Sequence, residues 1–215
     1  MTDNVTLPGS GAVIRSDDVG SGVQIQYVKL DVGGDGVSTP VSGVVPVGST
    51  VVVCQDEFTR PADTTNYAAN DCVADSTSAP TARTFTSAAR ILGGSGYVVG
   101  AMVLTDDVDA SEWDNVALRL WLYNKTGFTL VNDNAAFNGP LYADRSLLVG
   151  YIDFPGFLRE GGTPTALHTA IFDLRIPFVC DATVQNLYGQ FEVKNAPSAV
   201  NNGQKFTTKL IIDQN

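Results

Sequence analysis

The chain has 215 residues, of which 44% are hydrophobic and 17% charged, with one histidine and a formal net charge of -10 at pH 7. This composition is typical of a folded chain with a sizeable core and argues against disorder. The acidic balance disfavours nucleic acid as a partner, because an acidic surface repels phosphates.

No stretch of the sequence approaches the roughly 20 apolar residues of a membrane-spanning helix. The first residues, MTDNVTLPGSG, lack the basic and apolar segments of a secretory signal. We therefore expect a protein that is made in a cytosol and has no membrane partner. The 21 glycines and 10 prolines, mixed with many Ser, Thr, Asn and Asp residues, favour a β fold with many turns.

Residues 1–60 are predicted to form an extended N-terminal arm or strand region. Residues 23–30 alternate apolar and polar side chains, as in a half-buried strand. Residues 41–53 are rich in Val and Gly, follow Pro40 and contain Pro46, which favours an extended arm or an edge segment over a central strand. Such a region needs a partner surface to become fully ordered. The residues expected to make that contact are Leu7, Val13, Ile14, Arg15, Val23, Ile25, Tyr27 and Leu30.

From Tyr67 onward, short apolar runs recur about every ten residues between turn residues. This spacing predicts an all-β fold, a jelly-roll-like antiparallel β-sandwich over residues 61–215. Residues 97–105 form a nearly continuous apolar run, which predicts a central strand covered on both faces. Residues 134–137 are predicted to form a helical turn. The predicted strands are residues 71–74, 84–91, 97–105, 116–123, 147–154, 168–179, 187–194 and 206–212.

The three cysteines, Cys54, Cys72 and Cys180, fit no zinc-binding spacing. Three buried free thiols are one interpretation. A disulfide between Cys54 and Cys72, or one between subunits, is the alternative.

The sequence offers little catalytic chemistry. A Ser-His-Asp arrangement would need a strained GxSxG turn, and none is present, so His168 is expected to be a surface or strand-start residue and not a catalytic one. The carboxylates of residues 106–109, with Glu112 and Asp114, could bind Ca²⁺, but the fixed calcium-loop pattern is absent and a solvated loop is favoured. We expect no catalytic residue, no metal site and no cofactor.

Two further sets of side chains have a functional alternative. Asp153, Asp173 and Glu192 lie on predicted strands and could pair as in a glycosidase, although strand-borne acids more often face solvent. Aromatic residues in predicted loops could stack on sugars, or could fill the sandwich ends or a subunit interface. These aromatic residues are Tyr67, Trp113, Phe128 and Tyr142.

Residues 7–30 resemble a segment that recurs in virion proteins of tailed bacteriophages. The shared pattern is L-P-G-x-G, then D-x-V-G-G, then V-x-x-Q-x-V-K-L, with Gly20-Ser21-Gly22 here in place of the double glycine. The later part of the chain is similar to a phage β-sandwich module. The matching pieces are Tyr67, Asp71 and Val73 in Y-x-x-x-D-x-V, the turn 94–96, VLTD at 103–106, LRLWLYN at 118–124 and NAAF at 134–137.

The resemblance implies a capsid decoration, or cement, protein on the surface of a virion assembled in the host cytoplasm. It implies the major capsid protein as partner, a homotrimer, and capsomers bridged through the N-terminal arm and the trimer contacts. Another virion component, such as a head fibre, tail fibre base or baseplate subunit that binds host glycans, is the alternative. A glycan hydrolase and a non-viral carbohydrate-binding module are less favoured.

Overall fold

The computed structural model describes residues 4–6, 13–18, 24–26, 50–62, 64–106, 113–158, 166–197 and 203–215. Within these ranges, the regular elements are β-strands and one 3-10 turn at Tyr142–Asp144. The chain divides into two compact units, Met1–Val47 and Gly48–Asn215.

The first unit contains one small antiparallel sheet in the order β1-β2-β3. Its strands are β1 (Asn4–Thr6), β2 (Val13–Asp18) and β3 (Gln24–Gln26). Ile14 of β2 lies opposite Val5, and Asp17 lies opposite Ile25. The described part of the predicted strand at 23–30 is β3.

The second unit is a sandwich of two antiparallel sheets. The first sheet has the order β10-β7-β12-β4, and in the second sheet β5 and β6 both pair with β11, which is followed by β8 and β9. The strands are β4 (Thr50–Thr59), β5 (Cys72–Val73), β6 (Arg83–Phe85), β7 (Ser95–Thr105), β8 (Leu118–Tyr123), β9 (Leu148–Phe154), β10 (Leu167–Val179), β11 (Leu187–Val193) and β12 (Lys205–Gln214).

This strand order is that of a jelly roll. With β5 and β6 sharing one position, the chain crosses between the sheets at every step except from β8 to β9. The first and last strands of the sandwich, β4 and β12, are neighbours in one sheet, as two interlocked Greek keys require. The predicted all-β, jelly-roll-like sandwich is therefore confirmed.

The core lies between the two sheets and is rich in aromatic side chains. Phe58 and Phe206 come from paired strands and stack with ring centroids 5.2 Å apart. Trp113 makes edge-to-face contacts with two rings: its ring centroid lies 5.0 Å from that of Phe206 and 6.3 Å from that of Phe157. Pairs at these separations are stabilised beyond their buried area.

Two predicted elements differ from the structure. The strand predicted at 84–91 ends at Phe85, and Ser87 has a φ of 56°, which turns the chain out of the sheet. The helical turn predicted at 134–137 is an extended turn instead. Asn134 has a φ of 56° there, and Ala136 forms a bridge with Asp71.

The division of the chain also lies earlier than the predicted boundary at residue 60. β4 pairs along its whole length with β12, so Thr50–Thr59 is an edge strand of the sandwich. Within the segment 41–53, for which an arm or an edge segment was predicted, the described residues 50–53 are thus part of an edge strand of the jelly roll.

Candidate functional site

The structure describes part of the predicted contact arm. Val13, Ile14 and Arg15 lie in β2, and Ile25 lies in β3. The other predicted contact residues lie outside the described residues; they are Leu7, Val23, Tyr27 and Leu30.

His168 occupies the second position of β10, at the strand start that the sequence predicts. Its backbone bridges Leu158, whose N–H donates to the His168 carbonyl at 2.8 Å. Of the acidic loop, Asp106 accepts a 2.7 Å hydrogen bond from the N–H of Lys205, and residues 107–112 lie outside the described residues. The described part of the chain contains no group of three or more His, Cys, Asp or Glu residues that could hold a metal ion.

The three strand-borne acids separate between the two sheets. Asp173 lies on β10 in the first sheet, whereas Asp153 and Glu192 lie in the second. Asp153 and Glu192 stand on either side of Arg119 in one cross-strand row. Two acids that flank a guanidinium across three strands form a charge row, which is a different arrangement from two acids facing one cleft.

Each of these two carboxylates already accepts hydrogen bonds from side chains. Arg119 donates to Asp153 from Nε at 2.6 Å and from a terminal nitrogen at 2.8 Å, and this pairing raises the pKa of Arg119. Glu192 accepts the indole N–H of Trp121 at 2.9 Å and the Lys194 ammonium at 2.8 Å. The row therefore positions the strands against one another.

The aromatic side chains beside this row are also packed. Trp121 lies 5.2 Å from Tyr151 and 5.9 Å from Phe137, measured between ring centroids. The guanidinium of Arg119 covers the Tyr151 ring at 4.0 Å. Cation–π contacts of this kind occupy the ring faces that a sugar would need.

The loop aromatics are mostly interior. Tyr67, Trp113 and Phe128 are buried, whereas Tyr142 is 81% exposed and has the guanidinium of Arg145 4.3 Å above its ring. Tyr67 and Trp113 pack in the main core, and Phe128 packs in a separate cluster with Tyr123 and Tyr188, which favours the simpler interpretation that these side chains fill the molecule rather than bind sugars.

A buried polar network at the end of β4 was not anticipated from the sequence. Arg60 donates to the Tyr67 hydroxyl at 2.7 Å and to the Gln204 side chain at 2.9 Å, and it lies 3.7 Å from the Asp133 carboxylate. Burial, with the Asp133 charge beside it, raises the pKa of Tyr67. Three separate loops are therefore held together by one buried cation.

A second charged group ties β4 to β6 across the two sheets. Arg83 lies 3.1 Å from Asp75, 3.6 Å from Asp56 and 4.2 Å above the Phe58 ring. Burial raises the pKa of Asp56, although the Thr84 N–H and the Arg83 charge act in the opposite direction. This group closes the β4 side of the sandwich.

Cys54, Cys72 and Cys180 are free, buried thiols. The disulfide between Cys54 and Cys72 considered as the alternative is not formed. Cys54 packs in the main core and Cys72 in a separate cluster with Ala74 and Phe137. Burial raises the pKa of all three thiols, to about 11 for Cys180.

The first sheet has an apolar outer face, which was only partly predicted. Residues 97–105 do form a central strand, but their side chains alternate. Val98 and Val103 are buried in the core, while Met102 and Leu104 are half-buried on the opposite side. The prediction that this strand is buried on both faces therefore holds only for its inner face, and the outer face is only partly buried.

Four cross-strand rows make up this outer face of the first sheet, which we call face A. Reading from β4 through β12 and β7 to β10, the first row holds Val51, Asp213, Tyr97 and Pro177; the second holds Val53, Ile211, Gly100 and Phe172; the third holds Gln55, Lys209, Met102 and Ala170; and the fourth holds Glu57, Thr207, Leu104 and His168. Val53 is 61% exposed and Phe172 is 56% exposed. An exposed apolar sheet face with few charges is typical of an interaction surface.

A scan against protein-family models gives no match, and a search of curated proteins finds no significantly similar sequence. Among the described residues, no helix is long and apolar enough to cross a membrane. The molecule is thus characterised by its fold and surfaces, as an all-β jelly-roll sandwich with an exposed apolar sheet face.

Proposed function

We propose that this chain is a structural protein of a tailed-phage particle, which decorates the capsid shell and stabilises it by bridging capsomers. Its partner is the major capsid protein, and the copies associate as a homotrimer on the capsid surface. The protein acts by contact and needs no cofactor.

The observation that carries this proposal is the jelly-roll strand order of Gly48–Asn215. Jelly rolls with this order build viral capsid and lectin domains, so the support is an analogy of fold. It agrees with the resemblance of residues 7–30 and of the later strand motifs to phage virion proteins.

The division of the chain into two units suggests a separate role for each unit in binding the capsid. The jelly roll has its own core and serves as a rigid block, and the first unit supplies short strands that can add to the edge of a neighbouring sheet. Many copies that each make modest contacts across capsomer boundaries sum to a large stabilisation of the shell.

The test is binding to phage heads that lack this protein. The full chain is incubated with undecorated heads, beside a chain that begins at Gly48 and an Ile14→Asp, Ile25→Asp variant of the full chain. Cosedimentation and a particle map report binding. We expect regular density on the capsid for the full chain, and at least about a tenfold weaker binding when the first unit is removed or altered.

Two outcomes would overturn the proposal. A chain beginning at Gly48 that binds heads as well as the full chain would remove the role of the first unit. Density confined to the tail or baseplate would favour the alternative virion component, and a glycan array would then show whether that component binds host sugars.

A further inference from the structure

We propose that face A joins two copies of this chain in a two-fold contact, with the symmetry axis running along its second row. This inference goes beyond the decoration function and is independent of it, because it rests on the residues of the first sheet alone.

The second row provides an apolar centre for such a contact. Val53, Ile211 and Phe172 lie in register across β4, β12 and β10. Gly100 separates Ile211 from Phe172, and a Cβ at Gly100 would lie 3.2 Å from both side chains. The glycine therefore lets these two side chains close over the backbone, and the row is a continuous apolar ridge.

Two opposite charges on β12 flank this ridge. Lys209 stands one row to one side of Ile211 and Asp213 one row to the other, on the same face of the sheet. Among the ion pairs formed between described residues, none includes Lys209 or Asp213, and one Asp213 carboxylate oxygen is buried without a hydrogen bond. The two positions are about 13 Å apart along the strand, too far for the charges to pair within one copy.

A two-fold axis along the second row satisfies both charges. It places β12 antiparallel to β12 of the other copy, so Lys209 of each copy faces Asp213 of the other, and the two ridges meet. An axis parallel to the strands would place Lys209 against Lys209. The charge pattern therefore selects a second copy in the antiparallel orientation, as a self-complementary surface requires.

The neighbouring rows are compatible with this arrangement. The same axis brings the first row over the third row of the other copy, so Tyr97 faces Met102 and Pro177 faces Ala170. A thioether at the edge of an aromatic ring is a favourable contact, and the ring edge of Tyr97 is not covered by the guanidinium that lies over its face. Arg175 already stacks over Tyr97 at 5.0 Å, and Glu57 already pairs with Lys205, so these charges do not oppose the contact.

The size of the sheet sets the strength of association. Four strands of about ten residues cover roughly 19 by 33 Å, or about 630 Å². A standard interface uses about 800 Å² from each partner. We therefore expect reversible association in the micromolar range, seen as a doubling of the mass of whatever species exists at low concentration.

The test is sedimentation velocity of the full chain over a range of concentrations, with a charge swap. Lys209→Asp and Asp213→Lys should each weaken association about fivefold or more, because each creates like-charged contacts at two symmetric places. The double variant K209D/D213K restores the pairing in the opposite sense and should return to within about twofold of the parent. Phe172→Asp should weaken association about tenfold or more.

Tyr142→Asp is the matched control, because it introduces the same charge at an exposed aromatic side chain away from face A. Thermal unfolding of each variant verifies that the fold is retained. The inference is overturned if no species doubles in mass up to millimolar concentration, or if the double variant associates as weakly as the single ones. Neither result bears on binding to heads, so it would leave the proposed function standing.

Discussion

The hydroxyl of Tyr67 donates a 2.6 Å hydrogen bond to the carboxylate of Asp133, and the same carboxylate oxygen accepts the N–H of Ala74 at 2.8 Å. Asp133 also lies 3.7 Å from the guanidinium of Arg60. The contact therefore joins a buried acid and a buried base through a phenol, at a site that no strand pairing fixes.

Removing the phenol is predicted to destabilise the jelly roll. Tyr67→Phe removes the hydroxyl that bridges Arg60 and Asp133 in a buried site, so each residue loses one hydrogen bond, which should lower the free energy of unfolding by about 1–3 kcal/mol. Urea unfolding followed by tryptophan fluorescence measures the change. Tyr142→Phe serves as control, because that ring is exposed and should cost less than about 0.5 kcal/mol.

Removing the acid should cost more. Asp133→Ala leaves the Arg60 charge buried without its carboxylate, which should lower the free energy of unfolding by about 3–5 kcal/mol. Asp153→Ala is the comparison, since its salt bridge with Arg119 is half-exposed and should contribute about 1 kcal/mol or less. Equal losses in the two variants would contradict the importance given to the buried network.

Gly156 is predicted to tolerate no side chain. A Cβ at this position would lie 2.5 Å from the Cα of Asn115 and 2.6 Å from its carbonyl carbon, and backbone atoms cannot move aside as a flexible side chain can. Gly156→Ala should lower the free energy of unfolding by at least about 1–3 kcal/mol.

Gly139→Ala is the control for that substitution. Gly139 has a φ of 80° and open space around its Cβ position, so alanine there meets only backbone strain of about 1–2 kcal/mol. A Gly156 variant no less stable than the Gly139 variant would show that the 115–156 contact relaxes easily.

The buried thiols predict a loss of stability in alkali. Burial raises the pKa of Cys180 to about 11 in the folded chain, from an ordinary value of 9.0. Below the ordinary value both states keep the proton, and between the two values the unfolded chain loses it first. Stability should therefore fall as the pH rises from about 9 to 11, by about 1–2 kcal/mol from this group.

Cys180→Ala should remove that part of the decline while the rest remains, because burial also raises the pKa of Cys54 and Tyr123. Denaturant unfolding at pH 8, 9, 10 and 11 measures the slope. In parallel, the native chain should react slowly with a thiol reagent at pH 8, and unfolding should expose all three thiols. Rapid labelling of the native chain would contradict the burial.

Asp75 offers a prediction for acid. The pKa of Asp75 lies below its ordinary value. Burial acts to raise it, but the hydrogen bonds from the Thr81 hydroxyl and N–H and the charge of Arg83 together outweigh that effect. A lowered folded-state pKa gives stability that is present above the unfolded value and lost as the pH falls through the folded value. Thr81→Ala should move the pKa of Asp75 upward, measured by carbon NMR of the carboxyl group.

Asp181 provides the matched control for Asp75. Hydrogen bonds from the hydroxyl and N–H of Thr183 lower the pKa of Asp181 in the same way. Thr183→Ala should shift the Asp181 titration and leave that of Asp75 unchanged. A Thr81 variant with an unchanged Asp75 titration would mean that Arg83 alone sets its pKa.

The sandwich was predictable from sequence because its strands have simple periodicity. In β12, the side chains from Phe206 to Ile212 alternate between core and surface, and the turns between strands contain the expected breakers. The ends of elements were less predictable. Ser87 and Asn134 adopt positive φ values that neither residue type requires, so the strand after Phe85 and the helical turn at 134 were placed wrongly.

The buried networks were out of reach for a different reason. Arg60 and Asp133 are far apart in the chain and meet because β4 ends beside the loop that carries Asp133, which depends on the whole jelly roll. Predicting face A would have required the register between β4, β12, β7 and β10. Periodicity indicates which side chains of a strand share a face, but it does not indicate which strands are neighbours or how they are aligned. The arm remains a prediction from residues and resemblance.

The place of β12 between β4 and β7 has a consequence for folding kinetics. Thr50 of β4 and Gly96 of β7 both pair with Gln214, one from each side of β12. β4 therefore cannot join β7 and β10 in the first sheet until β12, the last strand in the chain, has been placed between them. Loop closure over such separations is entropically costly, and proteins dominated by distant pairings fold in about milliseconds to seconds. Until Lys205–Gln214 docks, β4 and β7 expose unpaired edges, and this interval is when chaperone capture or misassembly between chains competes with native folding.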